Sequence, residues 1–96
     1  MEFVVVRVPG PAWDHARPMR EQDGWDAHAR FMNDLAASGF IVLGGPLGDE
    51  ERRFMHLCDG ESAAAVRSRF DSDPWTPEML EIESIDRWTI LLRGSE

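Results

Sequence analysis

The pattern of apolar and polar positions in the first half of the chain predicts a strand followed by a helix. β-Branched residues dominate positions 2–8, and the Pro-Gly-Pro run that follows cannot continue a hydrogen-bonded ladder. A polar stretch rich in Pro, Gly and Asp then extends to about Gly24. From Trp25 to Ala36, apolar side chains recur at i, i+3 and i+4, which indicates one apolar face of a helix. Gly39 follows at the position where glycine commonly ends a helix.

The second half of the chain predicts a hairpin, a second helix and a last strand. Residues 40–43 form a short apolar run closed by Gly-Gly-Pro, and residues 52–58 alternate in a strand-like way. Because the link between these two runs is short, we expect them to form an antiparallel pair. A helix is expected after Ser62, and it should end at the Ser-Asp-Pro segment. Residues 79–92 are strand-like, but their alternation changes phase near Asp86, which predicts a bulge or a bend.

The resulting order, βαββαβ, predicts an α+β fold of the ferredoxin-like type, with two helices on one face of an antiparallel sheet. The length of 96 residues indicates a single domain that covers residues 1–96. The strands carry apolar side chains on both faces, whereas two helices can cover only one face. We therefore expect a homodimer in which two sheets pack face to face, as a dimeric α+β barrel-like assembly.

Composition and charge exclude several classes of partner. The formal net charge of −8 argues against nucleic acid and against an anionic membrane surface. No run approaches the roughly 18 apolar residues of a membrane span, and the first residues lack the pattern of a secretory signal. Cys58 is the only cysteine, so an intramolecular disulfide is impossible. These features predict a cytoplasmic protein without a membrane or nucleic-acid partner.

The spacing of reactive side chains does not indicate a metal or a cofactor. His15, His28 and His56 fall on three different predicted elements, and the chain has neither paired cysteines nor a His-x-His spacing. The Gly-Gly-Pro turn is too short for a phosphate-binding loop, and dinucleotide-binding and Walker patterns are absent from the sequence. We therefore expect no metal and no cofactor.

His28 needs an explanation, because it lies on the apolar stripe of the first predicted helix. A histidine that faces a core needs a hydrogen-bond partner. Residue type alone favours a core histidine with satisfied nitrogens. In the same way, Asp73 alone is best explained as a turn or capping residue ahead of Pro74. Neither residue indicates a function by itself.

The chain resembles the YCII-related family over nearly its whole length. It has a first strand FVVVRVPGP, a helix that begins W-x-x-H-x-x-F-M, and a strand ending in G-G-P where the family usually shows A-G-P. It also has an S-D-P-W segment where the family usually shows D-P-F or D-P-Y, and Arg87-Trp88 in the last strand. The resemblance implies a dimeric ferredoxin-like domain whose site pairs the helix histidine with the aspartate of the D-P-aromatic segment. In this sequence the pair is His28 and Asp73.

The chain departs from the family pattern at two places. Trp75 stands where the family usually has Phe or Tyr, which changes the size of the implied pocket. The loop at 9–24 is longer than the minimal family pattern and contains Trp13 and His15. A connection of this length is often functional, so we interpret it as a lid over the pocket.

The implied pair suits acid–base chemistry. A carboxylate beside an imidazole fixes its tautomer and stabilises the imidazolium, so His28 can act as a general acid or base. The resemblance implies a lyase-like (dehydrochlorinase-like) or hydrolase-like enzyme acting on a small organic substrate. The alternative is a non-catalytic dimeric module that binds a small ligand or a partner protein, with the pair as a buried structural hydrogen bond. The predicted substrate contacts are apolar walls and one anion contact: Trp13, Trp75, Trp88, Pro46 and Arg87.

Overall fold

The computed structural model describes residues 1–94 and consists of a four-stranded antiparallel sheet with two helices. The strands lie across the sheet in the order β2-β3-β1-β4. This arrangement confirms the predicted α+β, ferredoxin-like βαββαβ fold. The elements in chain order are β1 (Glu2–Pro9), a short 3-10 turn (Met19–Glu21), α1 (Trp25–Ala37), β2 (Ile41–Pro46), β3 (Phe54–Asp59), α2 (Ala63–Asp71) and β4 (Leu80–Arg87).

The first strand, β1, lies inside the sheet between β3 and β4, and its alternate residues face the helices. Phe3 and Val5 are buried in a core that also contains Leu35 of α1 and Phe70 of α2. Side chains alternate along a strand, so Arg7 continues the same buried row. Its guanidinium is 0% exposed. The sheet therefore carries a buried arginine on its helix-covered face.

The start of α2 and the end of α1 lie where the sequence predicts them. The hydroxyl of Ser62 accepts a hydrogen bond of 3.1 Å from the Ala65 N–H, which satisfies one free donor at the start of α2. After α1, Gly39 adopts a φ of 87°, a left-handed conformation that glycine reaches without steric cost. The end of α1 directs the chain back into the sheet as β2.

The second strand, β2, extends farther than the sequence indicated. It includes the Gly-Gly-Pro segment, in which Gly44 pairs with His56 and Pro46 pairs with Phe54 of β3. Proline is tolerated here because β2 is an edge strand and this is its last residue. The predicted antiparallel hairpin is confirmed.

The last strand, β4, is shorter than predicted. It ends at Arg87, and the strand-like pattern up to Leu92 does not correspond to a strand. The reason is that Arg87 already pairs with Phe3, near the start of β1, so little backbone remains to pair with. The expected irregularity is present, but it lies earlier, where the register shifts between Ile82 and Ser84.

The face of the sheet opposite the helices carries apolar side chains. Val4 and Leu43 both pair with Leu57 on β3, so the three lie on this face, and Leu43 is 64% exposed. We call the face defined by Val4, Leu43, Met55 and Leu57 the open face. Within residues 1–94, neither helix has the length and apolar character needed to cross a membrane.

Candidate active site

The side chains of His28, on α1, and Asp73, after α2, are in direct contact. Asp73 follows α2, and its side chain is held by the local turn, in which the Trp75 N–H donates a hydrogen bond of 2.9 Å to Oδ1. His28 is the fourth residue of α1, and its Nδ1 is 2.9 Å from Oδ1 and 2.8 Å from Oδ2 of Asp73. Both side chains are buried. The structure therefore brings together the two residues that the resemblance paired.

Arg7 completes this cluster from the central strand. Its Nη1 donates a hydrogen bond of 2.9 Å to Oδ2 of Asp73, and its Nη2 donates one of the same length to the Thr76 hydroxyl. The side chains of Arg7 and Asp73 are both 0% exposed. The sequence analysis missed Arg7, although its place in the row of Phe3 and Val5 was a signal. A buried charge needs a partner, and Asp73 supplies it.

The hydrogen bonds around Asp73 keep it ionised. Burial alone would raise the pKa of this carboxyl, but hydrogen bonds from His28 and the Trp75 amide, together with the charges of His28 and Arg7, outweigh burial. The net effect is a pKa below the ordinary value for aspartate. An ionised Asp73 can only accept hydrogen bonds, so Nδ1 of His28 carries a hydrogen. In a neutral imidazole, Nε2 then carries the free lone pair.

Trp75 fixes the plane of the His28 ring. The two rings are stacked, with centroids 3.9 Å apart and an interplanar angle of 8°. The Trp75 indole N–H donates a hydrogen bond of 2.8 Å to the Asp23 carbonyl, and Trp13 contacts Trp75 edge-on at 5.6 Å. The imidazole is thus held in orientation by Asp73 at its Nδ1 and by Trp75 across its face.

A cavity of about 270 Å³ borders the other side of His28. Its walls are mostly apolar, and they come from α1, the hairpin and the loop before α1. An apolar cavity of about 150 Å³ can hold a benzene molecule, so this one is large enough for a substituted single ring. The lining residues that matter most below are Met19, Trp25, His28, Met32, Pro46 and His56.

The predicted substrate contacts divide into three groups in the structure. Pro46 lines the cavity together with His28. Trp75 and Trp13 are buried behind His28, where they support the ring rather than form the cavity wall. Arg87 and Trp88 border a separate depression with Val4 and Met55 of the open face. The structure does not place these last two residues in the cavity that His28 borders.

The loop at 10–24 is mostly exposed and is anchored to the protein by a few buried residues. Trp13 is buried against Phe54 and Trp75 in a second, smaller core. His15 is exposed. From this loop, only Met19 belongs to the cavity wall. The lid interpretation thus rests on Met19 and not on Trp13 and His15.

His56 is a second imidazole in the same cavity. In the sequence it was weighed only as a metal ligand, although its alternation with Phe54 and Cys58 placed it on a buried face. Within residues 1–94, no group of three His, Cys, Asp or Glu side chains comes together in a way that could hold a metal ion. The site thus contains two histidines with different surroundings: His28 is bonded to Asp73, and His56 has no hydrogen-bond partner among the described residues.

Comparison with known proteins shows a likeness in fold. No protein-family model and no curated protein sequence matches the chain. Among solved structures, the chain is similar to 5-chloro-2-hydroxyhydroquinone dehydrochlorinase (TftG) from Burkholderia phenoliruptrix AC1100, in its complex with 2,5-dihydroxybenzoquinone. The TM-score is 0.63 at 24% sequence identity, with 93% of this chain and 94% of that chain covered. At this identity the likeness establishes the shared fold.

Proposed function

We propose that this chain is a small proton-transfer enzyme of the YCII-related type, in which His28 is the general base or acid. The observation that carries the proposal is the position of the imidazole. Asp73 binds Nδ1 at 2.8 Å, and the ring borders a cavity of about 270 Å³. Within residues 1–94, Nε2 has no hydrogen-bond partner, so its lone pair is free to take a proton.

In the proposed reaction, Nε2 of His28 takes a proton from the bound substrate. The electron pair of the broken bond stays on the substrate and drives departure of a leaving group with its own bonding electrons. The ionised Asp73 stabilises the imidazolium that forms, and His28 then returns its proton to solvent or to the product. Since the Trp75 ring holds the imidazole from one side, the substrate approaches from the cavity.

An elimination is favoured over a hydrolysis for this site. The cavity walls are mostly apolar, and proton removal alone is sufficient to start an elimination. A dehydrochlorinase shares this fold, which is consistent with such a reaction on the scaffold. We propose a small cyclic substrate with hydroxyl or carbonyl groups, in the size range of a single ring.

The first experiment measures chloride release from 5-chloro-2-hydroxyhydroquinone by the parent protein and by two isosteric variants, His28→Gln and Asp73→Asn. We expect turnover by the parent and a loss of about 100-fold or more in kcat for His28→Gln, as is typical when a general base is removed. Folding of each variant is checked by circular dichroism and thermal unfolding. Equal kcat values for the parent and a folded His28→Gln variant would contradict the proposal.

A second candidate function is a non-catalytic module for a small ligand. It is favoured by the contacts of Asp73, which also tie β1 to the turn after α2 through Arg7 and Thr76. In that case the pair is a structural hydrogen bond, and His28→Gln would lower the unfolding temperature strongly in a protein that has no turnover to lose. The two functions therefore differ in the effect of His28→Gln: it lowers turnover in the enzyme and thermal stability in the binding module.

We further propose that the protein is a cytoplasmic homodimer that pairs through the open face. Leu43 of this face is 64% exposed on an edge strand. Exposed apolar groups of this kind are covered in a typical protein–protein interface. Light scattering should give the mass of a dimer for the parent and of a monomer for Leu43→Glu. A monomeric parent would contradict the proposal.

A further inference from the structure

His56 occupies the floor of the cavity that His28 borders. It lies on β3, where it pairs with Val5 of β1 on one side and with Gly44 of β2 on the other. Its side chain is on the helix-covered face of the sheet and is 6% exposed. The ring also packs against Phe70, with centroids 5.4 Å apart. Two imidazoles therefore border one small cavity from different elements, His28 from α1 and His56 from the sheet.

Neither nitrogen of His56 has a hydrogen-bond partner within residues 1–94, and both are closed off from solvent. Nearly all buried polar groups in proteins are hydrogen-bonded, because an unpaired one destabilises the fold. The nearby guanidinium of Arg7 also has an unpaired nitrogen, Nε. Among residues 1–94, His56 is thus a polar side chain without a hydrogen-bond partner that lines the cavity, at a position where an apolar side chain would avoid this cost.

The surroundings of His56 keep its imidazole neutral. Burial lowers the pKa of His56 to about 3, with further lowering from the charges of Arg7 and His28 and an opposing effect of Asp73. A neutral imidazole has one N–H donor and one lone pair. His56 therefore offers both a donor and an acceptor at neutral pH, and no group in the described part of the chain bonds to either.

We infer that His56 is a substrate-binding residue, whose imidazole hydrogen-bonds a hydroxyl or carbonyl oxygen of the ligand while His28 transfers the proton. The inference rests on the proposed function. A neutral imidazole suits this task, because its N–H can stabilise negative charge as it develops on a carbonyl oxygen. The substrate then needs two features: a proton within reach of His28 and an oxygen that reaches His56. When the proton moves to Nε2, the electron pair it leaves behind is delocalised onto that oxygen.

Gly44 makes room for this imidazole. A Cβ atom at position 44 would lie 2.6 Å from Nδ1 and 3.5 Å from Cε1 of His56. This edge of the ring therefore lies against the bare backbone of β2. A ligand oxygen reaches a nitrogen after rotation of the ring about its Cβ–Cγ bond, and a side chain at position 44 would restrict that rotation. Gly45 provides a matched control, because a Cβ there would meet nothing within 4 Å.

The test combines ligand affinity with thermal stability in two variants, His56→Leu and His56→Gln. Leucine removes the unpaired polar groups, whereas glutamine keeps one donor and one acceptor. The probe is 2,5-dihydroxybenzoquinone, titrated by calorimetry into the parent and both variants. For His56→Leu we expect about tenfold weaker binding or worse, because a buried oxygen of the ligand loses its partner. His56→Gln should recover part of that affinity.

Thermal unfolding without ligand separates a binding role from a structural one. His56→Leu should raise the unfolding temperature by several degrees, about 4–8 °C for each unpaired group removed. If His56 served only the fold, His56→Leu would lower the unfolding temperature.

The glycine variants test the room around the ring. Gly44→Ala should weaken probe binding about as much as His56→Leu, whereas Gly45→Ala should bind the probe within about twofold of the parent.

The outcomes distinguish this inference from the proposed function. If the parent binds the probe and His56→Leu binds it equally well, His56 does not bind substrate and the inference is overturned alone. A lowered unfolding temperature of His56→Leu would also overturn it. Failure of the parent to bind the probe would overturn the proposed substrate class, and the inference with it. Weaker binding combined with a higher unfolding temperature supports the inference.

Discussion

The pH dependence of stability should depend strongly on His56. The substitution His56→Leu replaces the titrating imidazole by an apolar side chain of similar size. In the folded protein the pKa of His56 is about 3, against 6.5 for an ordinary histidine. Between these two values the unfolded chain binds a proton that the folded protein does not. Stability due to this group therefore falls as the pH falls from about 6.5 towards 3.

The magnitude follows from the same two pKa values. The unfolding free energy changes by about 1.4 kcal/mol per pH unit once the unfolded histidine is fully protonated and by less near pH 6.5, so the change between about pH 6.5 and pH 4.5 amounts to about 2 kcal/mol. Asp73 does not interfere, because the stability that it contributes is lost only below its ordinary pKa of 3.8, as the pH falls towards its lower folded value. His56 can therefore be examined above about pH 4.5.

The assay is urea unfolding followed by tryptophan fluorescence at several pH values in this window. We expect the parent to lose about 2 kcal/mol more than His56→Leu between the two ends. His15→Ala serves as the control, since the His15 side chain is exposed. It should keep the pH dependence of the parent. Identical pH dependence in the parent and in His56→Leu would refute the reasoning.

Two further predictions concern the groups that hold His28. Arg7→Met should destabilise the protein by about 3–5 kcal/mol in urea unfolding, because it leaves the buried Asp73 carboxylate without its charged partner. The exposed pair of Arg53 with Glu83 gives a matched control, since Arg53→Met should lower the unfolding free energy by less than about 1 kcal/mol. A loss as small as the control's for Arg7→Met would contradict the assigned role. Trp75→Leu removes the ring stacked on His28 and should lower kcat more than it changes KM in steady-state kinetics. Trp75→Phe keeps an aromatic face and should retain more of kcat. Equal kcat values for Trp75→Leu and Trp75→Phe would show that the stacking does not orient His28.

The order of elements could be predicted from the sequence because each element has its own local signal. The spacing from Trp25 to Ala36 marks the helix, and Ser62 and Gly39 mark a start and an end. The extent of β4 could not be predicted in this way. It depends on where β1 begins, which is a property of the pairing and not of residues 88–92 themselves.

The candidate site was predictable only in part. The pair of His28 and Asp73 followed from a resemblance, since nothing in the local pattern joins residues 45 positions apart. Arg7 had a local signal, because it is a charged residue in a buried row, but its partner is 66 positions away. Arg87 was predicted as an anion contact without knowledge of its strand pairing, and it pairs with Phe3 near the start of β1, where it borders a different depression from His28.

The central claim is that the imidazole of His28 accepts the proton of the substrate at Nε2. Chemical rescue tests this claim most directly. His28→Ala leaves a gap between Trp75 and the cavity, and free imidazole added to this variant can occupy it. We predict that chloride release from 5-chloro-2-hydroxyhydroquinone, lost in His28→Ala, returns in proportion to the imidazole concentration. The unfolding temperature of the variant should stay unchanged as imidazole is added. A folded His28→Ala variant that turns over as fast as the parent without imidazole would contradict the account.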